Sequence, residues 1–111
     1  MYTNTSITIY HLENNMYSRV NIENVFWEDS KRYNTNKSGL TNADRVVVYI
    51  PFSSTNYEPK KGDIIINGVV KDEIQSIQDL EKKYAQVHVI NIVDRRDFGS
   101  LDMRHWEISG N

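Results

Sequence analysis

The last third of the chain constrains the fold more than any other stretch. Val87-His88-Val89-Ile90-Asn91-Ile92-Val93 is a strand-like run that feeds Asp94-Arg95-Arg96-Asp97-Phe98-Gly99-Ser100 and returns through Met103-Arg104-His105-Trp106-Glu107-Ile108. A β-branched run, a charged turn and an aromatic return together predict a hairpin that ends a small β domain. Nothing in this stretch has the form of an active site. The expectation is therefore a structural or interaction module rather than an enzyme.

The segments upstream extend the same reading. Ser6-Ile7-Thr8-Ile9-Tyr10-His11-Leu12 alternates Ile7, Ile9 and His11 against Thr8 and Tyr10, the period of a half-buried strand. Glu13-Asn14-Asn15 then reads as a turn into Tyr17–Ile22, giving an antiparallel hairpin, and Val25-Phe26-Trp27-Glu28 reads as a third short strand. Arg45–Phe52 is β-branched almost throughout and predicts a central strand ended by Pro51. Ile64–Val70 predicts a strand bent at Gly68, after which Ile74, Ile77, Leu80 and Tyr84 fall at helical spacing. One short helix near Ile77 to Tyr84, with Ser76 and Asp79 as a weak capping pair, is expected to pack on the sheet. Two polar stretches, near 29–44 and 53–62, read as loops. The fold class is mainly β: one domain over 1–111, a small antiparallel β-barrel or sandwich of six or seven strands with one short helix.

Composition narrows the function. With 13 Lys and Arg against 15 Asp and Glu, the formal net charge of −2 removes the broad field of a non-specific nucleic-acid binder. There is no cysteine, which excludes disulfides, thiolate metal sites and cysteine nucleophiles. The start lacks the basic and apolar regions of a signal peptide, and runs such as Val46–Ile50 are too short to span a bilayer, so a cytosolic protein without a membrane partner is expected.

The candidate chemistry is sparse. His11, His88 and His105 form no pair at ligand spacing, so neither a metal nor another cofactor is expected. Ser100, Asp102 and His105 supply the residue types of a nucleophilic triad but lack a glycine-flanked elbow. Asp94 and Asp97 flank Arg95 and Arg96, which favours internal ion pairing around a turn. Gly62-Asp63 and Gly68 belong to turns and bends, since no phosphate-loop motif accompanies them. The basic clusters Lys60-Lys61 and Arg95-Arg96-Arg104 are the interface or DNA-facing candidates, able to touch a phosphate backbone if the fold unites them. Trp27 and Trp106 each neighbour a glutamate, Glu28 and Glu107, so alternation predicts rings turned inward and carboxylates outward.

Several stretches resemble a family of uncharacterised proteins encoded in phages and prophages of Firmicutes, a domain of unknown function found among virion structural genes. They are Met1–Tyr10, Ser38–Asp44 with Tyr49-Ile50-Pro51-Phe52, Lys61–Gly68, and Val93–Ser100 with His105-Trp106-Glu107. That family carries no assigned catalytic motif. In layout the chain also resembles the head-closure or stopper proteins of siphophage necks. The resemblance implies a head-tail connector protein that assembles as a homo-oligomeric ring between portal or adaptor and tail, made in the host cytoplasm and ending in the virion neck. It implies itself and those virion proteins as partners, with non-specific contact to phage DNA. In such a ring a polar loop could point into the lumen and block or contact DNA, and the two candidates are Lys31–Ala43 and Ser53–Lys61. Two rival readings belong to other classes: a small phage-encoded inhibitor that blocks a host defence protein, and an enzyme or carbohydrate-binding accessory.

Overall fold

The computed structural model describes residues 3–36, 39–84, 87–97, 99 and 103–110, with side chains described outside 30–44. Six strands, β1 (Thr5–Glu13), β2 (Met16–Asn36), β3 (Gly39–Pro51), β4 (Ile64–Asn67), β5 (Val87–Arg96) and β6 (His105–Gly110), accompany one helix, α1 (Ile77–Glu81), and a 3-10 turn at Phe52–Ser54. The strands close into an antiparallel barrel in the order β1-β2-β3-β6-β5-β4. Closure removes every free edge within the barrel wall. The final hairpin, the central strand and the single helix follow the sequence expectation.

The first hairpin turns on Asn14 and Asn15, both at positive φ (52° and 62°). Two successive left-handed residues match the right-handed twist of the flanking strands, and asparagine tolerates that region better than most side chains. β2 then continues through Asn24, also at positive φ (60°), where the β1 register shifts between Thr5 and Ile7. Ile22 and Val25, three residues apart, both enter the barrel core, so the bulge re-phases the alternation. The expected separate strand Val25–Glu28 is thus the second half of one bent strand.

Two cores result. Ile7, Ile9, Ile22, Val25, Trp27, Val46, Val48, Ile50, Ile65, Ile90 and Ile108 fill the barrel. Outside it, Tyr10, Ile64, Ile66, Val70 and Leu80 form a second cluster beneath the 70–84 crossover and α1. Capping at both ends of a reciprocal box, Ser76 with Asp79, starts a helix of only five residues, and Leu80 seals it against the sheet. β1 and β4 are therefore buried on both faces, which explains the unbroken Ile64-Ile65-Ile66 and corrects the half-buried reading of β1. Thr8 is satisfied inside this layer: its hydroxyl donates to the Gly68 carbonyl (2.8 Å) and accepts from the Val70 N–H (2.9 Å).

The largest departure from the sequence expectation is the polar stretch 29–44. It is not a loop: β2 and β3 stay paired from Phe26↔Tyr49 out to Asn36↔Gly39. β6 accompanies β3 only as far as Val46, and β1 accompanies β2 only as far as Val25. From Ser30↔Arg45 outward the ribbon is two-stranded, an arm extending about 20 Å at the usual strand rise. The second polar stretch does form a loop, entered by the 3-10 turn and running to Asp63.

Candidate functional site

The 52–63 loop packs on the barrel core through Tyr57, and the chemistry there centres on Asp63. Gly62, at φ +96°, turns the chain so that its N–H donates to the Ile90 carbonyl, while the Ile90 N–H donates to the Asp63 carbonyl. Asp63 is 2% exposed, and its side chain is fully engaged. One carboxylate oxygen lies 2.7 Å from His11 Nδ1; the other accepts from the Tyr57 hydroxyl (2.5 Å) and the Lys60 N–H (3.1 Å). Burial, followed by the bond to the Asp63 carboxylate and its charge, pushes the Tyr57 hydroxyl pKa well above 10.0. His11, at the inward-facing end of β1, thus anchors the loop through a buried carboxylate. The spacing of 52 residues between His11 and Asp63 is set by the barrel, which is why no local motif announces it.

Beside this cluster a shallow pocket of about 140 Å³ is lined by Phe52, Tyr57, Glu58, Arg95 and Trp106, among others. The Arg95 guanidinium lies over Phe52 (5.2 Å) and Trp106 (5.4 Å), and pairs weakly with Glu58 (3.9 Å) and Asp97 (3.4 Å). Trp27 is in the barrel core, as alternation predicts, and Trp106, on the same face of β6 as Ile108, packs half-buried against that core.

On the flank, a cleft of about 680 Å³ lies between the β1–β2 turn and the crossover, lined by Tyr10, Met16, Tyr17, Arg19, Asp72 and Ile74 among others. Asp72 organises it: the Tyr10 hydroxyl donates to its carbonyl (2.5 Å), and the Tyr84 hydroxyl (2.8 Å) and Lys83 ammonium (3.5 Å) donate to its carboxylate. The Tyr84 hydroxyl, ahead of Lys83, holds the Asp72 carboxyl below its usual value, and that same bond raises the Tyr84 pKa. Burial raises the Tyr10 pKa against the opposing charge of Arg19, whose guanidinium donates to the Lys71 carbonyl.

The five basic residues singled out in the sequence divide between two environments. Arg96 bonds Glu107 (3.1 Å) and approaches Asp94 (3.7 Å), and Arg104 lies 3.4 Å from Asp97. With Arg95 they form the mutual ion pairing expected of that turn, which leaves little of their charge for a distant phosphate. Lys60 and Lys61 are exposed in the neighbouring loop and make no ion pair among the described residues. Ser100 and Asp102 lie outside the described residues, and His105 Nδ1 faces the Met103 carbonyl (2.8 Å). Among the described residues no group of three His, Asp or Glu could hold a metal ion, and no helix is long and apolar enough to cross a membrane. The sequence reading missed His11, Asp63 and Tyr57. The one available signal was an aspartate after a glycine turn, directly ahead of the Ile64-Ile65-Ile66 run.

These features define a closed six-stranded barrel whose polar groups tie loops to the wall, with a two-stranded arm extending from it. The chain belongs to a family of unknown function, DUF6751, which it matches over residues 2–111. No curated protein and no solved structure matches it.

Proposed function

We propose that this chain is a structural protein of a phage virion, a head-tail connector subunit of the head-completion or stopper type that assembles into a ring between portal or adaptor and tail. The observation that carries this reading is the arm. A two-stranded ribbon extending about 20 Å, with no third strand among the described residues, is marginally stable alone in water. Such ribbons gain stability when their exposed edges and faces meet another chain. The barrel is a compact base from which an arm can engage a neighbour, and closed cyclic symmetry multiplies weak contacts of that kind into a stable assembly. The resemblance of Val93–Ser100, Lys61–Gly68 and the other matching stretches to uncharacterised phage and prophage proteins encoded among virion structural genes supports the virion setting. The polar groups described above hold loops in place, which agrees with a role in assembly rather than catalysis.

In this reading Lys60 and Lys61 are the cations free to contact DNA, while Arg95, Arg96 and Arg104 stiffen the barrel rim. The test is light scattering of the purified protein across a concentration series, followed by mass spectrometry of purified virions. Ring-sized masses and a ring-like copy number per particle are expected. A protein made in infected cells yet absent from virions overturns the connector role in favour of a host-directed inhibitor.

A further inference from the structure

The pocket beside the Asp63 cluster is built from two parts of the chain that the barrel brings together. Phe52 is placed by the 3-10 turn, where its N–H donates to the Arg104 carbonyl (3.1 Å), and its ring lies 5.6 Å from that of Trp106 at 50°. Arg95 on β5 is the cross-strand partner of Trp106 on β6, and its guanidinium lies over both rings. Tyr57 adds a third ring to the lining, fixed by its hydroxyl on Asp63 and by its N–H, which donates to the Thr55 hydroxyl (3.0 Å). Asn56 and Glu58 contribute an amide and a carboxylate beside that hydroxyl. Anchoring of the loop at Asp63 uses only the Tyr57 hydroxyl from this set, so it does not account for the flat, mixed lining.

The lining narrows the ligand by its chemistry. An apolar guest would leave the Arg95 guanidinium and the Glu58 carboxylate unmatched, and a small inorganic anion would make no use of three rings. A free cation would meet the charge of Arg95 already lying over Phe52 and Trp106. A nucleobase suits the whole set: its π face meets rings and guanidinium, and its polar edge meets Thr55, Asn56 and Glu58. A base also arrives with phosphates, and cations stand next to the pocket. The Lys60 N–H and the Tyr57 hydroxyl share one Asp63 oxygen, so the exposed Lys60-Lys61 pair begins beside a lining residue. Neither lysine makes an ion pair among the described residues.

We infer that this pocket takes an unpaired base of single-stranded nucleic acid against Phe52, Trp106 and Arg95, while Lys60 and Lys61 contact the adjoining phosphates. A duplex is a poor ligand, because its bases are paired and stacked on one another and one must be splayed out to enter. The net charge of −2 fits the same picture. With two cations for phosphate, stacking carries the affinity, and binding falls only gently with salt: log K against log salt should slope by about −1.4 for two phosphates of a single strand. The site needs neither a ring nor a virion, so it goes beyond the connector reading and is tested apart from it.

The experiment uses the full chain, with thermal unfolding as the check on folding. The probes are a fluorescein-labelled DNA strand of about 12 nucleotides and mixed sequence, the same sequence as RNA, its DNA duplex, and an abasic strand that keeps the phosphates, all read by anisotropy. The DNA or the RNA single strand is expected to bind on the order of tenfold or more tighter than the duplex and the abasic strand, and the better of the two names the source. Arg95 is half-exposed, so its replacement leaves the core intact. Arg95→Lys keeps the charge and removes the planar group, and it is expected to weaken single-strand binding on the order of tenfold, as Arg95→Ala does. Lys60→Ala with Lys61→Ala should flatten the salt dependence toward zero and keep the preference for bases over abasic sites. Phe52 and Trp106 are half-buried, so their part is read in the parent, as quenching of tryptophan emission by the single strand but not by the abasic one. Equal binding of single, abasic and duplex strands assigns the contact to phosphate, overturns the base site and leaves the lysine contact of the connector reading. Unchanged affinity in folded Arg95→Lys overturns the pocket as the place of binding. Failure of every strand to bind overturns the base site and the lysine contact together, while ring assembly is decided separately by light scattering.

Discussion

The β2–β3 ladder passes through two environments within one pair of strands. From Phe26↔Tyr49 to Asp29↔Val46 it is barrel wall, with Trp27 and Val48 packed in the core; from Ser30↔Arg45 to Asn36↔Gly39 it is an arm that pairs with no other strand among the described residues. Backbone pairing continues across the boundary, and the barrel core lies on the wall side of it. Ladder geometry alone therefore extends a strand, and stability comes from what the strand covers.

Predictions follow from that contrast in order of size. Ile65→Ala empties a fully buried position in the barrel, and about 2–5 kcal/mol of unfolding free energy should be lost in a urea titration. A loss below about 1 kcal/mol would mean that the barrel wall is no more tightly packed than the arm.

Asp63→Ala removes the acceptor shared by His11, Tyr57 and Lys60 and leaves donors unpaired, at an expected cost of about 1–3 kcal/mol by the same titration. The pH dependence sharpens the point. Because the folded state holds the Tyr57 proton more tightly than the unfolded state does, this contribution is complete below pH 10.0 and fades as pH rises through the elevated value. Stability measured from pH 8 to 11.5 should fall along an alkaline limb, and Tyr57→Phe should flatten it; an unchanged limb would assign the fall to other groups.

Asn24 is where β2 changes phase inside the wall. Asn24→Ala removes the short polar side chain that lets asparagine tolerate the left-handed region, at a cost of about 1 kcal/mol, whereas Asn24→Gly should be close to neutral. Equal effects of the two changes would show that backbone strain is not what selects asparagine there.

The smallest effect on stability is expected from the arm. Replacing residues 31–43 by an Asn-Gly turn should leave unfolding of the barrel within about 0.5 kcal/mol of the parent while abolishing self-association in light scattering. A large loss of stability would make the arm part of the folding unit and erase the contrast between the two regions.

Much of the barrel was legible in the chain. The final hairpin, the β-branched strand ended by Pro51, the Asn-Asn turn and the Ser76–Asp79 helix start all carry local chemistry with one structural solution. The arm was misread because Asn, Ser, Thr and Lys over 29–44 have loop composition, and pairing between them is set by the hairpin already under way at Trp27 and Val48. The bulge at Asn24 hid the continuity of β2, since a change of alternation phase looks like two strands. The Asp63 cluster was invisible because His11 and Asp63 are neighbours only after closure.

What the sequence determined alone is the strand segments and turns of the barrel wall, through alternation, β-branching and the residues that accept positive φ. What the tertiary structure decided is which faces are covered. Closing β4 onto β1 buries Ile65 inside and places Ile64 and Ile66 under the crossover, and it leaves Phe26, Tyr49 and His105 facing outward. Periodicity assigns a residue to one side of a strand; only the packing of distant segments determines whether that side meets water, a helix or another chain.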